Sequence, residues 1–434
     1  MTTHAAHPWT AHAGSDATPI ACRYCGTVHE APVAPRRGFQ LACATCGSEL
    51  ERPAGLDVAL ALSSATLLLL IPANLLPFLA TSVAGVSRQS VLASAGTILW
   101  REGWAWLGLV VLLFVVVLPP IRFALLTAVL ACLRTSSRPR WLGPAFRFAN
   151  LLQTWAMADV FLLALWVAHS RLAATISVSL GSGAVCFVLA GLGTLLTRAA
   201  LDKGAVWKAI GSPPAMPPAE RGDIACPSCD LVLDAGLEGH RCPRCSARVR
   251  ARQVEPIGRA AALTLAGLIL YAPANIYPIA TLPIGFTPTA YTVIEGVRDL
   301  IQAGLLGLAF LVFCASFLIP MLKLAGISWL IASVLRRSAS RLVVKTRLYK
   351  VVDEIGRWSM VDPFVIGCSV PVMQYNELIT ARGEAGATAF AAVVILTIVA
   401  AQCFDPRLLW DAARRTDTGG TGSLDPGSLA RRAT

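Results

Sequence analysis

Charge-free runs recur along this chain, and they constrain its fold more than any other feature. No Asp, Glu, Lys or Arg lies between Asp57 and Arg88, Glu102 and Arg122, Arg171 and Arg198, or Arg259 and Glu295. Further runs lie between Asp299 and Lys323, from Pro363 to Asn376, and between Glu384 and Asp405, while Phe148 to Ala168 is interrupted only by Asp159. A bilayer core of about 30 Å takes roughly 20 apolar residues per helix, so each run holds one span. With 55% hydrophobic and 14% charged residues, the chain is too apolar to cover a soluble surface with charge. Eight spans are predicted, at approximately 58–80, 104–130, 150–170, 175–197, 260–282, 303–333, 358–379 and 386–405. The first 20 residues lack both a basic segment and an apolar segment, so no cleavable signal peptide is expected there.

The two halves repeat. Pro72-Ala73-Asn74 with Pro77 returns as Pro273-Ala274-Asn275 with Pro278, and Pro119 with Arg122 returns as Pro320 with Lys323, both at an offset of 201. Trp155, Met157, Asp159 and Phe161 return as Trp358, Met360, Asp362 and Phe364 at 203. Four spans per half bring both copies into the membrane from the same side, which predicts a parallel repeat with its pseudo-axis along the membrane normal. Arg134, Arg138, Arg140 and Arg147 fill the loop between spans two and three, and seven basic residues from Arg336 to Arg357 fill the equivalent loop of the second half. The opposite loops hold few. Lys and Arg collect in cytoplasmic loops, so both termini are expected in the cytoplasm. The net charge of +12 is absorbed largely by this bias.

Eight of the 13 cysteines form paired knuckles: Cys22, Cys25, Cys43 and Cys46, then Cys226, Cys229, Cys242 and Cys245. A two-residue gap lets both thiolates of a knuckle reach one tetrahedral Zn²⁺ at about 2.3 Å, and two knuckles close a four-sulfur structural site. Gly26 and Gly47 follow their knuckles, where a positive φ turns backbone amides toward sulfur. Disulfides compete for these cysteines but are uncommon on the reducing side of the membrane. Two zinc ions per chain are therefore expected, each closed to substrate. The other cysteines (Cys132, Cys186, Cys314, Cys368, Cys403) lie in or beside spans and read as small core residues.

The expected architecture is an all-α polytopic membrane protein built as a tandem parallel repeat, each copy a cytoplasmic zinc ribbon followed by four transmembrane helices. Its boundaries are a disordered N-terminus (1–20), ribbon one (21–52), a first membrane domain (57–200), a Pro-rich linker (202–221), ribbon two (222–252), a second membrane domain (258–411) and a disordered tail (416–434).

Charges within spans are costly and mark function by default. Arg122 and Lys323 stand near the cytoplasmic ends of spans two and six, and Asp159 and Asp362 near the entry of spans three and seven, so each half can form one cation–carboxylate pair. Snorkelling of the cations to the interface competes with that role. Asn74 and Asn275, each between two prolines, mark broken or kinked helices, where an amide satisfies carbonyls that proline frees, or where it meets a substrate. Pro119 and Pro320 predict kinks in the long second and sixth spans. No nucleotide loop, no His-Glu-x-x-His and no Ser/His pairing points to an enzyme. The arginines of ribbon two (Arg241, Arg244, Arg248, Arg250, Arg252) lack interleaved aromatic residues, so nucleic acid is not expected and anionic headgroups suit them equally.

The paired ribbons, Pro273-Ala274-Asn275-Ile276-Tyr277-Pro278, Arg357-Trp358-Ser359-Met360-Val361-Asp362, and Cys403-Phe404-Asp405-Pro406-Arg407-Leu408-Leu409-Trp410-Asp411 together resemble the paraquat-inducible protein A family of bacterial inner-membrane proteins. The first half lacks the Phe-Asp-Pro-Arg ending. The resemblance implies partnership with periplasmic MCE-domain (mammalian cell entry) proteins, which form hydrophobic lipid tunnels between the two membranes. It further implies that the chain passes phospholipid or another lipid to or from such a tunnel. A scaffold that anchors the tunnel, and a small-solute exporter, remain alternatives.

Overall fold

The computed structural model describes residues 18–31, 41–51, 55–83, 86–101, 103–135, 138–172, 177–211, 224–284, 287–373 and 382–417. The expected tail from residue 418, most of the N-terminal segment and residues 212–221 of the expected linker lie outside them, while Lys203–Ile210 of that linker forms a helix and residues 416 and 417 close another. Ribbon one pairs β1 (Thr18–Ala21) with β2 (Val28–Ala31) and β3 (Leu41–Ala42) with β4 (Glu49–Glu51), one Cys-x-x-Cys turn in each hairpin. The first half follows as α1 (Leu56–Leu75), β5 (Pro77–Val83), β6 (Val86–Val91), α2 (Leu92–Arg101), α3 (Ala105–Val111), α4 (Leu118–Arg134), α5 (Leu142–Trp155), α6 (Ala158–Leu172), β7 (Ser177–Leu180), α7 (Ser182–Ala200) and α8 (Lys203–Ile210). Ribbon two carries β8 (Ile224–Ala225) and β9 (Val232–Leu233). The second half repeats the first: α9 (Pro256–Ile276), β10 (Ala280–Ile284), β11 (Thr287–Tyr291), α10 (Val293–Gln302), α11 (Leu306–Phe313), α12 (Ile319–Leu335), α13 (Leu342–Gly356), α14 (Val361–Met373), β12 (Arg382–Gly383), α15 (Ala385–Cys403) and α16 (Arg407–Asp417).

Seven helices among the described residues are long and apolar enough to cross a membrane. Two of them, Ala105–Arg134 and Leu306–Leu335, are 30 residues long and contain π-helical turns at Leu112–Val117 and Cys314–Leu318. Each π turn directly precedes the Pro119 or Pro320 region, where a missing N–H and the proline ring disturb the ordinary ladder, so the interruption expected there takes the form of a π turn. In place of the expected seventh span, α14 has 13 described residues, and 374–381 lie outside the described residues.

The all-α expectation needs correction. Spans one and five were expected to reach residues 80 and 282, but α1 ends at Leu75 and α9 at Ile276, and the chain turns into strands. These form two equivalent three-stranded sheets, β6-β5-β7 and β11-β10-β12, at the helix ends remote from the ribbons. Pro77 and Pro278 cannot continue a helix, whereas an apolar strand and an apolar helix end look alike in hydropathy. Gly183 and Gly386 occupy equivalent positions at the starts of α7 and α15, where a Cβ would run into backbone oxygens of Leu76 and Tyr277. Their lack of a side chain lets each sheet lean against its helix.

The ribbons cross over. The four cysteines of ribbon two share an apolar cluster with Leu126, Leu130, Phe146, Val206 and Trp207 of the first half. Those of ribbon one pack with Ile327, Leu330, Phe404, Leu409 and Trp410 of the second. Gly143 on α5 makes the seating of ribbon two possible, since a Cβ there would collide with the Arg244 carbonyl oxygen. The ribbons also touch each other through an antiparallel bridge between Ile20 and Leu231. Between the halves, α6 packs on α14, with Phe161 edge-on to Phe364 at 5.6 Å, and a Cβ on Gly367 would lie 2.8 Å from Val111 Cγ2.

Candidate functional site

Each Cys set comes together as four buried sulfurs within 4.8 Å of one another. Cys22–Cys46 and Cys25–Cys43 Sγ distances are 3.6 and 3.5 Å, and Cys226–Cys245 and Cys229–Cys242 are both 3.6 Å. A disulfide needs about 2.05 Å. A tetrahedral ion with bonds of about 2.3 Å, as zinc makes, sets its sulfurs about 3.8 Å apart. The sulfur spacing therefore fits a metal ion better than cystine, and each set can hold one ion. Every knuckle turns through a left-handed residue after its second cysteine: Gly26 (φ +74°), Gly47 (φ +67°), Asp230 (φ 53°) and Ser246 (φ 56°). The amide of each donates back to the carbonyl of the first cysteine, as Gly26 does to Cys22 at 2.8 Å. Contact among the sulfurs holds the Cys46 thiol, through Cys22 first, and the Cys242 thiol, through Cys226 first, well below the ordinary thiol range. His29, missed in the sequence, brings Nε2 to 3.1 Å from Cys43 Sγ, the kind of outer contact that orients a metal ligand.

The intramembrane charges arrange themselves differently from expectation. Arg357 Nη2 donates to both carboxylate oxygens of Asp159, at 2.8 and 2.9 Å, and Arg198 Nη1 reaches the second oxygen at 3.3 Å. Arg198 continues to Glu354 at 2.7 Å. The pair expected within the first half, Arg122 with Asp159, is thus replaced by a buried network across the repeats. Arg122 is buried instead with its guanidinium 4.9 Å from the Phe123 ring centre. Lys323, only 1% exposed, donates to Thr397 Oγ1 at 2.8 Å and to the Gly356 carbonyl at 3.3 Å. Neutral acceptors, rather than the Asp362 carboxylate expected to pair with it, satisfy this ammonium. Asp362 stands in the first turn of α14, partly buried.

Arg357, Arg198 and Thr397 were not singled out in the sequence. The signal was a mismatch between repeats: Arg357 answers to Thr154, and Arg198 to Ala401, at the offset of 203. Asn74 and Asn275 behave identically, each donating its amide to the carbonyl four residues earlier (Leu70 or Tyr271) at 2.7 Å. They close the last turn of their helices rather than a mid-span break. The Oδ1 of each is buried without a hydrogen-bond partner among the described residues.

Residues 56–211 and 257–414, one stretch per repeat, match the sequence profile of paraquat-inducible protein A. The chain belongs to the paraquat-inducible protein A family. It is 32% identical over 407 residues to the intermembrane transport protein PqiA of Escherichia coli (strain K12), covering 90% of this chain and 95% of that protein. The lipophilic envelope-spanning tunnel protein A of the same strain is 30% identical over 273 residues, 62% of this chain and 63% of that one. A probable intermembrane transport protein of Haemophilus influenzae is 26% identical over 368 residues, 81% and 85% of the two chains. No solved structure matches the chain. The family match breaks off between residues 211 and 257 and begins only at 56, so it covers the membrane repeats and leaves both cysteine sets outside.

Proposed function

We infer that this chain is an inner-membrane component of an intermembrane lipid transport system, passing phospholipid or another lipid to or from a periplasmic MCE-domain tunnel. The observation that carries this reading is Lys323: a cation buried at the heart of an apolar bundle, held by one hydroxyl and one carbonyl. A membrane protein keeps such a group at a cost, and an anionic headgroup is the membrane chemistry that it suits. The Oδ1 atoms of Asn74 and Asn275, without a hydrogen-bond partner among the described residues, add acceptors near the far ends of their spans. The names of the Escherichia coli relatives support the intermembrane part, and the MCE partner comes from the family resemblance. In this reading α14 is the core of an eighth span, the ribbons and both termini face the cytoplasm, and each cysteine set holds a structural zinc. Arg122, Asp159 and Asp362 belong to the polar network along the lipid path, and nucleic acid has no part in it.

Photo-crosslinkers placed one at a time beside Asn275, Lys323 and Asp362 should capture phospholipid in cells, and the yield should change when the MCE partner is deleted. Crosslinks confined to the lipid-facing outer surface, unchanged by that deletion, would replace the transport reading with a scaffold. Reporter fusions at Arg140 and Lys345 should report the cytoplasm.

A further inference from the structure

Where the crossed ribbons meet the second half, they leave an open cleft of about 400 Å³. Its wall is built from every layer at this junction. Arg23 and Tyr24 come from the first knuckle of ribbon one, Arg250 and Arg252 from the strap leaving ribbon two, and Arg259 from the first turn of α9. Asp353 comes from α13, Asp405 from the link between α15 and α16, and Arg407 from the start of α16. Five arginines and two aspartates therefore line the cleft, and Asp411 and Asp230, behind the wall, pair with Arg252 and Arg23. Of the two lining carboxylates, one is already engaged, since Asp405 Oδ1 accepts the Arg407 backbone N–H at 3.0 Å.

The arginines are not loose surface charges. Arg252 is clamped by two parallel hydrogen bonds to Asp411, at 2.7 and 2.9 Å. Arg407 is 7% exposed and donates its Nε to the Arg23 carbonyl at 3.2 Å. Arg23 leans on Asp230 of the other ribbon at 3.7 Å. Arg23 and Arg407 are oriented by contacts that occupy only part of the five-donor fork, whereas Arg252 engages all three nitrogens, its Nη1 donating to the Ala251 carbonyl at 2.7 Å. Five arginines against these four carboxylates leave the cleft net cationic, and the planar fork of arginine matches phosphate oxygens in pairs. Tyr349 and Phe404, with ring centres 5.7 Å apart, form the apolar floor beneath. At the offset of 203 the first half has Leu201-Asp202-Lys203-Gly204 in place of Phe404-Asp405-Pro406-Arg407.

We propose that this cleft is a binding site for a phosphate-bearing anion, held by Arg23, Arg250, Arg252, Arg259 and Arg407. It lies at the ribbon face of the bundle, so the phosphate belongs either to the headgroup of an anionic lipid in the adjacent leaflet or to a free phosphorylated solute. Arg250 and Arg259, at the accessible side of the wall, are the residues to change, because neither supports a ribbon's sulfur cluster.

The test uses the purified full chain and the double variant R250Q/R259Q, with metal content as the check that both ribbons are intact. Two probes are titrated: inorganic pyrophosphate by calorimetry, and phosphatidylglycerol retained in mixed micelles by native mass spectrometry. At least tenfold weaker binding of one probe in the variant is expected. Loss of pyrophosphate binding assigns a free solute. Loss of retained phosphatidylglycerol that excess pyrophosphate does not displace assigns a headgroup. Saturable binding of neither probe to the wild type, or equal affinity of both proteins for both probes, overturns the site. Lipid crosslinking at Lys323 is read in parallel and is expected to be independent of this variant, so failure here and failure of the transport reading are told apart.

Discussion

The two halves share a fold and differ in how they hold charge. In the first, Asp159 is neutralised by arginines, the closest of which, Arg357, is supplied by the second half. In the second, Lys323 sits at the position equivalent to Arg122 and is held by a hydroxyl and a carbonyl. The capping ribbons differ in parallel: ribbon one uses glycine at both of its left-handed turns and ribbon two uses Asp230 and Ser246. One half thus uses its buried charge to join the repeats, while the buried charge of the other rests on neutral acceptors. The ribbons reinforce this joining, because the sulfur cluster of each packs on the half that does not follow it, while Glu51 of ribbon one also pairs with Lys208 of α8 at 2.6 Å.

The largest effect should come from breaking a ribbon. Cys226→Ser should lower bound metal from two ions to one per chain, since a structural four-sulfur site is worth on the order of 10 kcal/mol to its module. Because ribbon two packs on the first half, hydrogen exchange should accelerate more in α5 than in α12 of the second half. Cys22→Ser should do the reverse. Faster exchange in the half that follows the damaged ribbon would sink the crossed arrangement.

Next in size is the ion network. Arg357→Met strands the buried Asp159 carboxylate with Arg198 alone and should cost about 3 kcal/mol, seen as a lower melting temperature in detergent. Adding Asp159→Asn should restore most of the loss. Lys323→Met removes a buried charge whose hydrogen bonds among the described residues go to neutral acceptors, so it should leave the melting temperature level or raised while lipid crosslinking falls. Equal destabilisation by Arg357→Met and Lys323→Met would erase the distinction between the halves.

A smaller effect is expected at Lys203, at the start of α8. Burial first, then the fields of Arg23, Arg122 and Arg198, push its ammonium down to about 7 from its ordinary value of 10.5. Between those values the unfolded chain binds more protons than the folded one, so this group raises stability as pH climbs through the window and penalises it fully below about pH 7. Lys203→Met should therefore melt higher than wild type at pH 6, and the gap should close toward pH 10. A gap independent of pH would assign the effect to packing. Smallest is Ser246→Gly, which relieves a left-handed backbone and should stabilise ribbon two by about 1 kcal/mol or less. No gain in chemical denaturation of the ribbon would show that Ser246 carries no strain.

Much of this molecule was legible because its signals are local. A two-residue cysteine gap demands a turn, a charge-free run of about 20 residues demands a span, and an offset of 201 to 203 demands a repeat. All eight cysteines of the predicted sets therefore converge in the structure. The sheets after α1 and α9 escaped because hydropathy does not separate a buried strand from the end of a buried helix. Pro77 and Pro278 carry the boundary, but a proline there signals a broken or a kinked helix alike.

By itself, then, the sequence determined the inventory: membrane repeats, two sulfur clusters, and which charges lie among apolar residues. Only the tertiary structure decided partners. Arg357 and Asp159 are 198 positions apart and meet because α6 packs on α14. Ribbon one and α16 lie at opposite ends of the chain and meet because the ribbons cross. Hydropathy and spacing report on the few residues around each position, whereas a buried charge is satisfied by whatever the fold brings within about 3 Å. That is a property of packing between distant segments, and within one sequence it left only the mismatches between repeats as a trace.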